Sequence, residues 1–161
     1  STRIHNSRRR LRRKSLRSGH LHVKHHMSVV HFGTETEYVK IKLPGSYCEK
    51  GWAQAEVEIA VQCFSGNVRP WLDAEDMVPF TAQLRALYET LKGEATLSPR
   101  DEQFTLKFVG TAGGHIEVTG VAWSEATYGN KLMFDLSIDQ TFLPAPLQVL
   151  EGLFPSEQHD V

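Results

Sequence analysis

Carboxylates supply most of the side chains in this sequence that could act in acid–base chemistry. Glu56 and Glu58 lie two residues apart, and Asp135 and Asp139 four apart, in segments where apolar and polar residues alternate. Such spacing places both members of a pair on the polar face of a β-strand. A carboxylate pair that hydrolyses glycosides must flank a cleft, and nothing in the pattern implies one. We therefore interpret both pairs as parts of solvated strand faces.

Other catalytic signatures are missing from the sequence. The segment GTAGGH at 110–115 lacks the Lys-Ser/Thr of a phosphate-binding loop and precedes a strand pattern, so it indicates a hairpin turn. There is no G-x-S-x-G, HExxH, EF-hand or GxGxxG motif. Cys48 and Cys63 fit no zinc spacing, and two reduced thiols are favoured over a disulfide. We predict no catalytic residue, no metal site and no cofactor, and hence a protein that is not an enzyme.

One helix organises the elements that must position these side chains. Between Trp71 and Gly93 the apolar residues recur at helical spacing, and the set is Met77, Phe80, Leu84, Leu87, Tyr88 and Leu91. Asp73 or Asp76 is expected to cap the start of the helix, and Gly93 to follow its end. Trp71, which lies just before the cap, is expected to pack into the core.

Alternating apolar and polar residues predict strands on both sides of this helix. The strands are expected near residues 38–43, 56–63, 95–97, 104–108, 116–122 and 132–138, and a short helix near 144–154. The last three strands are expected to form an antiparallel meander. The predicted fold class is α+β: a single antiparallel sheet of about five to seven strands, with one long helix packed on one face and a short C-terminal helix. Residues 27–155 would form this single domain, and 156–161 a frayed tail.

The sheet face opposite the helix is the predicted partner-binding surface. Five residues on that face are the first candidates for contact: Glu56, Glu58, Glu117, Asp135 and Trp123. An alternative prediction is a small enzyme or ligand carrier, with a pocket between sheet and helix. That pocket would be lined by Trp123, Tyr128 and His115.

Charge is segregated along the chain, although the 161 residues carry a formal net charge of −1. Residues 1–26 hold nine of the 18 Lys and Arg and no acidic residue, which leaves nine basic against 19 acidic residues, a net of −10, in residues 27–161. We predict that 1–26 is a disordered basic extension: foreign to the domain, a transit peptide, or a nucleic-acid-binding tail. The acidic domain itself disfavours nucleic acid. The sequence has no run of 18 or more apolar residues that would predict a membrane span.

Several segments resemble the WapI-type immunity proteins, small bacterial proteins that neutralise toxin domains delivered between competing cells. The segments are SGNVRPWLDAEDM, FTAQLRALYETLKGEATLS, FTLKF, GGHIEVTG and KLMFDLSIDQTFLP, and the similarity spans roughly residues 52–153. The resemblance implies a cytoplasmic, non-catalytic protein that binds a cognate toxin, and it assigns no functional residues. A nuclease toxin tends to be basic because it engages phosphates, so an acidic inhibitor surface would speed and orient the encounter. We therefore expect a nuclease-type toxin as the partner.

Overall fold

The computed structural model describes residues 27–45, 51–126 and 128–156. The strands are β1 (Met27–Gly33), β2 (Tyr38–Pro44), β3 (Trp52–Gln54), β4 (Glu56–Val61), β5 (Phe64–Val68), β6 (Trp71–Asp73), β7 (Glu94–Leu97), β8 (Phe104–Gly110), β9 (His115–Glu125) and β10 (Tyr128–Asp139). The helices are α1 (Ala74–Thr90) and α2 (Pro144–Leu153), with 3-10 turns at Ala112–Gly114 and Gln140–Phe142. The predicted basic extension at 1–26, Cys48, and residues 157–161 lie outside the described residues.

The strands form two four-stranded antiparallel sheets and a two-stranded ribbon. The first sheet has the order β1-β2-β4-β5, the second has the order β10-β9-β8-β7, and the ribbon pairs β3 with β6. The α+β class and the meander β8–β10 are confirmed. The prediction of a single sheet was wrong, because alternation identifies a strand and its buried face but not the strand to which it hydrogen-bonds. Helix α1 separates the two sheets in sequence, with the first sheet and the ribbon before it and the second sheet after it.

The inner faces of both sheets share one hydrophobic core. Phe32 of β1 meets Phe108 of β8 edge to face, with ring centroids 4.8 Å apart. Phe80 of α1 lies 5.8 Å from the same Phe108 ring. All three side chains are fully buried, and aromatic pairs in this geometry add stability beyond the area that they bury. Phe108 therefore joins the first sheet, the second sheet and the long helix.

Helix α1 begins after Asp73, the earlier of the two predicted caps, although the Asp73 side chain forms no capping hydrogen bond. Pro79 consequently lies in the second turn, where it removes one backbone donor. The helix ends before the predicted stop at Gly93, because Leu91 adopts a left-handed conformation with φ 58° and donates its N–H to the Leu87 carbonyl at 2.7 Å. The Leu91 carbonyl packs so closely against Gly110 that a Cβ there would lie 2.6 Å from its oxygen. Contact with β8 therefore fixes the end of the helix.

The second helix forms where the sequence predicts it and packs on the first. Leu147 and Leu150 are fully buried and Phe154 nearly so. Arg85 of α1 holds Glu151 of α2 in a two-point ion pair, in which Nε donates to Oε2 at 2.8 Å and Nη2 donates to Oε1. The hydrogen bond from Arg85 lowers the pKa of the Glu151 carboxyl. This pair ties the two helices together on the protein surface.

Candidate functional site

The five predicted contact residues do not share one sheet face. Glu56 and Glu58 lie on the outward face of β4 in the first sheet, whereas Glu117 and Trp123 of β9 and Asp135 of β10 lie on the outward face of the second sheet. Their predicted outward orientation is correct, since the residues that alternate with them are buried. The prediction that one face carries all five was wrong, because it depended on a single sheet.

Both carboxylates on the first sheet are engaged by basic side chains of the same face. The Glu58 carboxylate accepts a hydrogen bond from Lys42 Nζ at 3.2 Å, and Lys40 Nζ lies 3.7 Å away. Register explains the contact, because β2 runs beside β4 with Lys40 directly opposite Glu58. Glu56 lies 3.9 Å from an Arg69 nitrogen. The hydrogen bond from Lys42, followed by its charge and that of Lys40, lowers the pKa of Glu58.

Aromatic contacts complete the outward face of the first sheet. The rings of His31 and Tyr38 stack with centroids 4.9 Å apart, and Lys40 Nζ lies 5.0 Å from the Tyr38 centroid. His31 also contacts the Thr34 carbonyl through Nε2 at 2.8 Å. The polar and aromatic groups of this face are therefore largely satisfied by one another.

The carboxylates of the second sheet have a different environment. Asp135 faces Thr119 across the β9–β10 ladder, and Glu117 lies two residues from Thr119, so the two acids are diagonal neighbours, roughly 7–8 Å apart. Both side chains are exposed. Within the described part of the chain, neither forms a salt bridge, whereas Lys107 nearby pairs with Glu94 at 3.4 Å. This face therefore presents two unneutralised carboxylates.

An open groove of about 530 Å³ crosses the second sheet beside these acids. Its lining includes three threonines, Met133, Val121 and one charged residue of each sign, Lys107 and Asp135. Met133 is 69% exposed, the most exposed large apolar side chain among the described residues. A concave surface with an exposed, flexible apolar side chain and charged residues at its edge is suited to contact with another protein.

Trp123 lies at the end of β9, beyond the groove, and its ring is half-buried. The Lys131 ammonium stands 5.1 Å above the ring, a favourable cation–π distance. The Trp123 backbone N–H donates to the Gln103 carbonyl at 2.8 Å, and the Gln103 amide donates to the Trp123 carbonyl at 3.2 Å. The position of Trp123 is therefore fixed by its own chain.

The alternative pocket between sheet and helix is not assembled from its predicted residues. His115 and Trp123 lie eight residues apart on β9, which separates them by about 26 Å along the strand. Both belong to the outward face, and the inner side is filled by buried residues of α1 and the sheet, among them Phe80, Leu84 and Phe108. The side chain of Tyr128 lies outside the part of the chain that the structure describes. Across the described residues, no three His, Cys, Asp or Glu side chains cluster closely enough to hold a metal ion.

Two exposed tryptophans belong to a surface that the sequence did not predict. Trp71 is 45% exposed rather than buried, and Trp52 is 50% exposed. Their rings lie 4.8 Å apart on the outward face of the β3–β6 ribbon. Strands of three residues are too short for alternation to identify them. The local sequence shows only that each tryptophan adjoins an apolar residue, Ala53 or Leu72, which takes the inward position in the structure.

Acidic residues surround the start of α1 next to this ribbon. Burial, followed by the charge of Asp73, raises the pKa of Asp76, and Glu75 contributes in the same direction. Arg100 opposes them and lowers the pKa. The Asp76 carboxylate therefore lies close enough to Asp73 and Glu75 to be repelled by both.

No helix in the described residues is long and apolar enough to span a membrane. No protein of curated function matches this chain. The fold is similar to that in the crystal structures of MRP1/MRP2 from Trypanosoma bruciei, with a TM-score of 0.50 and 10% sequence identity over 88% of this chain and 93% of that chain. Identity this low shows a shared fold and nothing about function.

The family comparison agrees with the motifs in the sequence. A model described as the immunity protein WapI-like family matches residues 30–155. The match extends from β1 through both sheets and both helices to the residue after Phe154. The chain therefore belongs to the immunity protein WapI-like family.

Proposed function

We propose that this protein is a non-catalytic immunity protein that binds a cognate, nuclease-type bacterial toxin in the cytoplasm and blocks it stoichiometrically. Membership of the immunity family supports the role. The observation that carries the choice of surface is the pair of carboxylates on the second sheet, Glu117 and Asp135, which have no ion pair within the described residues. Carboxylates that form no ion pair within the protein remain available to a partner.

The mechanism is occlusion by a rigid, acidic surface. A nuclease concentrates positive charge where it binds phosphate, and opposed charges raise the association rate and suppress wrong partners. Met133 supplies apolar area beside the acids, and Trp123 with its stacked Lys131 borders the surface at the other end. Glu56 and Glu58 remain candidate contacts, but a partner would have to compete with Lys42, Lys40 and Arg69 for them.

The test uses two double variants that change the net charge equally. The toxin domain encoded beside this gene would be purified, and its association with the wild type, E117Q/D135N and E56Q/E58Q measured at several salt concentrations. We expect E117Q/D135N to slow association roughly tenfold at low salt and to flatten its salt dependence. E56Q/E58Q should stay within about twofold of the wild type, because its carboxylates lie on the first sheet, outside the proposed contact.

Each result decides a separate point. If the wild type forms no complex and co-expression does not rescue cells from the toxin, the immunity role is wrong. If both double variants slow association equally, the immunity role stands and the choice of the second sheet is wrong.

A further inference from the structure

One face of the β3–β6 ribbon packs into the hydrophobic core, and the other face is exposed. Ala53 and Leu72 point inward and are 8% and 0% exposed. Trp52 and Trp71 point outward from the same two strands, and about half of each side chain remains exposed. Tryptophan is the residue most enriched among the energetic centres of protein interfaces, so two of them side by side on a surface need a specific explanation.

Three other aromatic rings, those of Tyr38, Tyr88 and Trp123, each carry a cation from the chain itself. Nζ of Lys40 lies 5.0 Å from the Tyr38 centroid, the Arg85 guanidinium 5.8 Å from that of Tyr88, and Nζ of Lys131 5.1 Å from that of Trp123. Over the ranges that the structure describes, no cation stands above Trp52 or Trp71. Within those ranges, the pair therefore offers a cation–π position that no side chain of the protein occupies.

The charged residues around the tryptophan pair favour a positively charged partner. Asp73 lies directly opposite Trp52 across the ribbon, so an indole ring and a carboxylate stand side by side on one face. Glu125 lines the neighbouring groove with Trp71 and Arg69, and Arg69 is already paired with Glu56. Arg100 also lies close enough to act on Asp76, so the surroundings contain both signs with acidic residues in excess, in keeping with the net charge of −10 over residues 27–161 that follows from the sequence.

We propose that the tryptophan pair and Asp73 form a second toxin contact, and that an arginine side chain of the toxin occupies it. A guanidinium is planar and weakly hydrated, so it can stack on an indole face while its N–H groups donate to the adjacent carboxylate. Lysine fits less well because its ammonium cannot stack and bind in two-point geometry together. The proposal rests on the immunity role and adds the chemistry of the group that is recognised.

The experiment measures the affinity of the full chain for the toxin domain encoded beside its gene. We expect W52A and W71A each to raise Kd by roughly 30-fold or more, as hot-spot residues do, mainly through faster dissociation. D73N should raise Kd by roughly tenfold without harming helix α1, since the Asp73 side chain forms no capping hydrogen bond that the change would remove. On the toxin side, each exposed arginine would be replaced by lysine, and one of these changes should be non-additive with W71A.

The control is F64A, because Phe64 is 61% exposed and lies away from the ribbon on β5. F64A should change Kd by less than about twofold, and W71F should retain part of the affinity lost in W71A. A tight wild-type complex with unchanged affinity in W52A and W71A would overturn this inference alone. If the wild type forms no complex, the immunity role falls and this inference with it. If W52A/W71A instead changes the solution mass of the protein alone, the pair is a contact between copies of this chain.

Discussion

The outward faces of the two sheets differ in how many of their carboxylates are paired: on the second sheet Glu94 pairs with Lys107, but Glu117 and Asp135 form no ion pair in the described ranges. On the first sheet, Glu58 is held by Lys42 and Lys40, and Glu56 by Arg69. On the second sheet, the exposed Glu117 and Asp135 have no such partners in the described ranges. A face that neutralises its own charges contributes to the folded state, whereas one that leaves them free contributes to encounter with a partner. We therefore place binding on the second face.

The inner faces of the two sheets do not differ in this way, because both pack against the same buried side chains. Phe32 and Phe80 both contact Phe108. Phe108→Ala should lower the free energy of unfolding by about 3–5 kcal/mol, the usual result of emptying a buried aromatic site. Urea titration followed by tryptophan fluorescence and far-UV circular dichroism should give one coincident transition, shifted as a whole. Phe142→Ala, at a side chain that is 39% exposed, is the control. Two separate transitions would mean that the sheets unfold independently.

Gly120 of the second sheet and Gly66 of the first differ in how closely neighbouring side chains pack against them. A Cβ on Gly120 of β9 would overlap the ring of Phe134, its neighbour across the ladder, which is 6% exposed. Gly66 of β5 is less confined, since its Cβ would meet the flexible end of Leu132 at 3.1 Å. Gly120→Ala should destabilise the protein by about 2–3 kcal/mol, and Gly66→Ala by less than about 1 kcal/mol, with thermal melting as the measurement. Equal losses would contradict the tighter packing assigned to the second sheet.

The sequence predicted the elements well because their signals are local. The long helix, the meander and the outward orientation of Glu58 and Glu117 all follow from the spacing of apolar residues. Spacing cannot distinguish these two glutamates, which both alternate with β-branched residues. Their difference depends on the register that brings Lys40 opposite Glu58, and register is set by long-range pairing. The same limit hid the division into two sheets.

The tryptophan ribbon was hidden for a different physical reason. Trp71 lies two residues before Asp73, the earlier of the two caps that the sequence allows, and an apolar residue just before a cap usually packs on the helix. In the structure, Leu72 takes the buried position instead and turns Trp71 outward. Pairing of β3 with β6 decides this orientation, and both strands are too short to show a period.

The smallest expected effect is a change in stability, and it tests the comparison of the two outward faces without any partner protein. The pKa of Glu58 is lowered by its hydrogen bond from Lys42 and by the two lysine charges. A carboxyl whose folded-state pKa is lowered stabilises the protein above its ordinary pKa of 4.5, and this contribution is lost as the pH falls through the lower folded value. Glu58→Gln should therefore lower Tm by about 2 °C at pH 7 and leave it unchanged near pH 2.

Glu117→Gln is the matched variant on the second sheet, since it makes the same chemical change at an exposed position with no ion pair in the described ranges. Its Tm should stay within about 1 °C of the wild type at pH 7, because no interaction within the fold is removed. Adding 1 M salt should abolish the loss in Glu58→Gln by screening the lysine charges. If Glu117→Gln lost as much stability as Glu58→Gln, the Glu117 carboxylate would also stabilise the folded protein. The reason for assigning the toxin to the second face would then be lost.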